Sequence, residues 1–213
     1  MELFGDEDAW QSRAGYWSLI LAEYRLRNVR RVASRLFEAH DATMRDLRER
    51  RIAYLDAVKA HPEARDYIYE GHDAADDELA HADEEVQLLL NGSLVAYGFS
   101  LLESTLKGCA EEAAAVRGTP APSNVRGAKI EGWLAVLRDK YWLSVDWDPR
   151  SYGLVPWRQL RNEYVHELED GIVRASASPG ADMVRDGRHL QAFFDLIEEG
   201  LEAVDRAMMG LRG

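Results

Sequence analysis

Apolar residues recur along this chain at helical spacing rather than strand spacing. From 17 to 58 there is neither proline nor glycine, and Leu19, Tyr24, Leu26, Val29, Val32, Leu36 and Leu47 form a broken apolar stripe among arginines. That pattern predicts one long helix, or two in line. "HPEARDYIY" opens a new segment, with Pro62 near its start, where a missing backbone N–H is tolerated. From 84 to 116 the chain is rich in Leu and Ala and apolar over much of a helix circumference, as a central bundle helix would be. Gly92, Gly98 and Gly108 lower its propensity by up to about 1 kcal/mol each, and predict close helix contacts or a kink.

"RGTPAPSN" reads as a loop, and "AKIEGWLAVLRDKYWL" as an amphipathic helix with Trp133 and Leu137 one turn apart. "SVDWDPRSYG" has turn chemistry, and Pro156 then sits in the first turn of another helix. "DGIVRASASPGADMVRDG" breaks the helical pattern, and its alternation around Pro179-Gly180 predicts a short hairpin or extended arm. "RHLQAFFDLIEEGLEAVDRAMMGL" is the closing helix. There is no internal repeat, and the fold class is all-α with at least four principal helices.

Composition narrows this picture. A chain of 213 residues with 46% hydrophobic and 30% charged residues suits one large folded unit. No apolar run approaches the roughly 20 residues that span a bilayer, so no membrane association is expected. "MELFGDEDAWQ" is acidic and lacks the basic start and apolar core of a signal peptide. Cys109 is the single cysteine, which excludes an internal disulfide. A cytoplasmic setting is expected. The net charge of −12 by itself argues against a nucleic-acid partner, yet it is unevenly spread. "EYRLRNVRRVASR" and "RDLRERR" are basic, and "EGHDAADDELAHADEE" is almost purely acidic. Net charge is therefore a poor guide to the field at any one site.

The candidate chemistry lies in "PWRQLRNEYVHELED". At about 100° per residue, Trp157, Leu160, Tyr164 and Leu168 share a core face. Arg158, Asn162 and His166 form a row one turn apart on another face, with Arg161 beside it. Histidine exchanges a proton near neutral pH. Arginine offers a planar, permanently charged fork for phosphate oxygens, and asparagine can orient either group. Together they suit phosphodiester cleavage without a metal, in which a base removes the proton of a ribose 2′-hydroxyl and a cation stabilises the charge developing on phosphorus. From spacing alone a solvated helix face is the commoner reading.

"LRNEYVHE" resembles the signature of the HEPN superfamily (higher eukaryotes and prokaryotes nucleotide-binding): arginine, four to six residues, then histidine, often with a polar residue after the arginine. Arg161, Asn162 and His166 match it. "LVAYGFSLLESTLKG" is similar to the earlier core helix of that superfamily, with Glu103 where an acidic residue is frequent. "RGAKIEGWLAVL" is similar to the helix before the motif helix. The resemblance covers roughly 84–213, leaving 1–83 as a long N-terminal helical extension packed on that core. It implies a HEPN-like helical bundle that dimerises so that two motif helices face each other. The activity it implies is that of a metal-independent endoribonuclease of toxin–antitoxin or phage-defence type. Its substrate would be RNA, a homodimer would form the cleft, and an antitoxin or defence-system protein would be the partner. His166 would act as base or acid, Arg161 would stabilise the transition state, and Asn162 would position them. Glu103 and Arg158 would support the site. The alternative within the resemblance is a non-catalytic dimer that binds RNA, a nucleotide or a protein. In one toxin branch a tyrosine that the antitoxin modifies stands two residues after the histidine. Leu168 holds that position here, which argues against such regulation.

The remaining candidates are weaker. His72, Asp73, Asp76, Asp77, His81 and Asp83 include pairs one turn apart, but acidic helix faces are ordinary, and no metal is expected. Cys109 reads as a buried structural thiol. Trp133 and Trp157 fall on core faces, whereas Trp10 and Trp147 are less constrained. With no phosphate-binding loop, dinucleotide glycine pattern or zinc spacing, no cofactor is expected.

Overall fold

The protein is described from a computed structural model, which covers residues 10–81, 87–123, 125, 129–166 and 187–212. Among these residues the chain forms six α-helices and no strand. They are α1 (Trp17–Ala60), α2 (Arg65–His81), α3 (Gln87–Val116), α4 (Lys129–Ala135), α5 (Leu154–His166) and α6 (Gly187–Met209). A π-helical turn, Val136–Lys140, continues α4, and 3-10 turns precede α2 and follow α6. The expected hairpin or arm after the motif helix falls outside the described residues.

The proline- and glycine-free run becomes one continuous helix. α1 has 44 residues, and so is about 66 Å long. Its buried face is Leu19, Ala22, Leu26, Val29, Arg30, Ala33, Phe37, His40, Met44 and Leu47. Tyr24, Val32 and Leu36, which the sequence reading set in the apolar stripe, are exposed. The true stripe alternates steps of three and four residues and runs through alanines and one arginine. Small residues let a partner helix approach closely, and counting only large apolar side chains overlooks them.

α1 serves two neighbours in turn. Up to Phe37 its buried residues join one apolar core with α3, α4, α5 and α6. Beyond that it pairs with α2, where Tyr54 lies against Gly71 and Arg51 meets Asp76 at 2.6 Å. The segment before α1 is also part of the main core, since Trp10, Ala14 and Tyr16 are buried in it. Asp205 of α6, itself buried, accepts the Ser12 hydroxyl at 2.9 Å and the backbone N–H groups of Arg13 and Ala14 at 2.8 and 3.0 Å. Arg30 of α1 reaches Asp195 at 2.8 Å and Glu198 at 2.5 Å, both on α6.

α3 is the central helix, and its glycines mark where neighbours approach. A Cβ at Gly92 would collide with the Tyr164 ring of α5, one at Gly98 with Phe193 of α6, and one at Gly108 with Ser18 of α1. Of the two sequence expectations for these glycines, close helix contact is the one the packing displays. Cys109 is fully buried on the same helix, and desolvation pushes its thiol well above the ordinary range. Among the described residues no helix is long and apolar enough to cross a membrane.

Candidate functional site

α5 is positioned by the turn before it. Asp148 accepts the Ser151 hydroxyl at 2.7 Å and the Arg150 N–H at 3.3 Å, and the Ser151 bond first among its contacts holds its carboxyl below the ordinary value. Gly153 at φ 81° reverses the chain, and the Leu154 N–H returns to the Pro149 carbonyl at 3.0 Å. Pro156 then occupies the first turn, as its missing N–H permits. Leu154, Trp157 and Leu160 are buried, with the Trp157 ring 5.0 Å from that of Phe193.

The polar side of α5 is organised by its contacts with α3 and α4. The Arg161 guanidinium stands 5.9 Å from the centre of the Phe99 ring on α3, within cation–π range. Its Nε is buried without a hydrogen-bond partner, and one of its Nη atoms donates to the Asn162 side-chain oxygen at 3.4 Å. Among the described residues no carboxylate lies within ion-pair distance of Arg161. Asn162 is exposed. The backbone of α5 runs on to His166, one turn beyond Asn162, and the His166 side chain lies outside the described residues, as does Leu168. Tyr164 is half-buried, and its hydroxyl meets the Ser93 hydroxyl at 2.8 Å.

The two supporting residues make contacts of their own. Arg158 is paired with Glu131 of α4 at 2.6 Å, so part of its charge is answered within the fold. Glu103 lines a cleft of about 410 Å³ between α3 and α4, together with Lys107, Lys129 and Trp133, and no residue of α5 lines that cleft. Phe99 and Glu131 are not marked by the sequence pattern, because neither neighbours the motif in the chain. Trp10 and Trp147, less constrained by the sequence pattern, are both buried. The Arg138 guanidinium, which donates to the carbonyls of Val145 and Trp147, ties the Trp147 segment down.

Among its described residues, the acidic α2 shows no metal-like cluster. His72 is buried with Nδ1 at 3.5 Å from Asp73 and 3.6 Å from Asp76, and Asp76 is already paired with Arg51. Among the described residues no three His, Cys, Asp or Glu side chains converge as metal ligands would, and Asp83 lies outside them.

Among the described residues, fold and site together define a helical protein with an arginine–asparagine pair on a helix packed against the central one. The chain matches no family model, no curated protein and no solved structure.

Proposed function

We propose that the chain is a HEPN-like, metal-independent endoribonuclease acting as a homodimer, of the kind found in toxin–antitoxin and phage-defence systems. The observation that carries this reading is Arg161. It is half-buried, braced against Phe99, bonded to Asn162, and unmatched by any carboxylate among the described residues. A guanidinium held in this way keeps its fork for an anion from outside the fold. His166, on the next turn of the same helix after Asn162, supplies the proton-transfer group.

In this reading His166 takes the proton of a ribose 2′-hydroxyl, and the 2′-oxygen attacks the adjacent phosphorus. The P–O5′ bond breaks, and the leaving oxygen takes up a proton. Arg161 stabilises the charge gathering on the phosphoryl oxygens, while Asn162 fixes the fork. The products are a 2′,3′-cyclic phosphate and a 5′-hydroxyl.

The test is incubation of the purified protein with total RNA in EDTA, with the ends of the fragments identified. His166→Ala is expected to lose about a hundred- to ten-thousand-fold in rate. Arg161→Lys is expected to be impaired as well, since an ammonium cannot reproduce the planar fork. Cleavage by His166→Ala at the parental rate sinks the assignment. RNA binding without cleavage by the parent points instead to a non-catalytic module.

A further inference from the structure

At the opposite end of α3 from Tyr164, Trp142 has φ 54° and is 78% exposed. It closes the π-helical turn after α4: the Leu143 N–H returns to the Leu137 carbonyl at 3.0 Å, so the residue before it must reverse the chain in the left-handed region. α3 ends by the same device, one residue tighter. There the Thr119 N–H meets the Ala114 carbonyl at 3.0 Å, and the left-handed residue is Gly118 at φ 63°. Glycine takes this conformation freely, whereas a bulky side chain is strained in it. Tyr141 and Leu143 on either side are buried, yet the Trp142 indole is turned to solvent, so no burial offsets its strain. Strain of this kind is held in place where the surroundings over-determine it. Here Arg138 does so, with two bonds to the Val145 carbonyl at 2.9 and 3.1 Å and one to that of Trp147 at 2.6 Å.

The indole borders an open groove of about 340 Å³ whose polar lining includes Arg117, Ser144, Asp146 and Arg206. Among the described residues Arg117 has no ion pair, and Arg206 has only Glu202 on its own helix, at 3.4 Å. The groove thus combines an aromatic face, two guanidinium groups and a carboxylate. An inorganic anion or an acidic side chain would use the cations but leave the indole and the Asp146 acceptor unused. A planar ring carrying hydroxyl or amino donors as well as a phosphate satisfies all three.

We propose that this groove binds a nucleotide unit, with its base stacked on Trp142, its phosphate between Arg117 and Arg206, and a sugar hydroxyl or base amine donating to Asp146. The site is separate from α5: Phe99, which braces Arg161, lies ~27 Å from Arg117 along α3. Occupancy of the groove therefore does not depend on cleavage at Arg161 and His166.

The experiment uses two probes, AMP by calorimetry and a fluorescein-labelled 2′-O-methyl dodecanucleotide by anisotropy. The second cannot be cut by 2′-hydroxyl attack. AMP binding that Trp142→Gly weakens assigns the groove to a free nucleotide, and binding of the oligonucleotide alone, weakened by the same variant, assigns it to one unit of a strand. Trp142→Gly is expected to weaken the bound probe about tenfold or more and to melt at or above the parental temperature, because glycine relieves the reversal. Arg117→Gln with Arg206→Gln is expected to weaken binding and flatten its salt dependence. Trp17→Ala, which removes another indole that is 68% exposed, is expected to bind like the parent. The proposal is overturned if the parent binds neither probe, or if Trp142→Gly melts at or above the parental temperature and binds like the parent. Should Trp142→Gly fail to fold, parental affinity in the folded double-arginine variant overturns it equally.

Discussion

Gly92 shows how a single residue takes its meaning from its neighbour. In the middle of a helix, glycine to alanine ordinarily gains up to about 1 kcal/mol. Here the added methyl would meet the Tyr164 ring at its Cε2 and Cγ, 2.7 and 2.8 Å away. Gly92→Ala is therefore expected to destabilise the fold, by about 1–3 kcal/mol as overpacking usually does. Thermal melting checks the sign, and Tyr164→Ala in the same chain should relieve most of the clash, which a double-mutant cycle reads directly. Tyr164 itself is half-buried rather than fully enclosed, so its truncation alone is expected to cost less than the roughly 3–5 kcal/mol of a fully buried ring.

Among the elements, the segment before α1 is the least obvious from the chain. It has no helix of its own at 10–16, yet it is bound to α6 through Asp205. Trp10 adds a backbone bond to Glu198, which also receives Arg30. Two carboxylates on one helix thus anchor both this segment and α1. Asp205→Ala would leave two backbone donors and a hydroxyl without their acceptor, at a cost of at least about 2–3 kcal/mol given the charge-assisted bonds lost. The expected result is faster hydrogen exchange at Ala14 and earlier tryptic cleavage at Arg13, with the α3–α6 packing retained. Unchanged exchange at Ala14 would mean that burial of Trp10 and Tyr16 holds the segment by itself.

For the whole molecule, the uneven charge resolves into separate surfaces. α1 exposes Arg25, Arg31 and Arg35, and α2 exposes Asp73, Asp77 and Glu78. The proposed ribonuclease site is composite, since each chain contributes one α5. The protein is therefore expected to sediment as a dimer at micromolar concentration, and scattering should give a mass twice the 24.1 kDa of the chain. A monomer that nonetheless cuts RNA would confine the chemistry to one α5 and remove the composite cleft.

The chain by itself determined the elements. The long run free of proline and glycine became α1, the Leu- and Ala-rich stretch became α3, and Pro156 marked the first turn of α5, because helical propensity and apolar period are local properties. Arg161 and Asn162 were legible for the same reason, as neighbours on one predicted helix face. What the packing alone decided is which partner each face meets. The burial of Ala22, Ala33 and Arg30 in place of Tyr24, Val32 and Leu36 follows from what lies across from α1. Arg158 is taken by Glu131, and Glu103 faces the α3–α4 cleft, through contacts between residues far apart in sequence. Trp142 is the sharpest case. In the chain it is one aromatic residue among several, and only the backbone reversal after α4 shows it held at a left-handed angle and turned to solvent, where a glycine would have rested more easily.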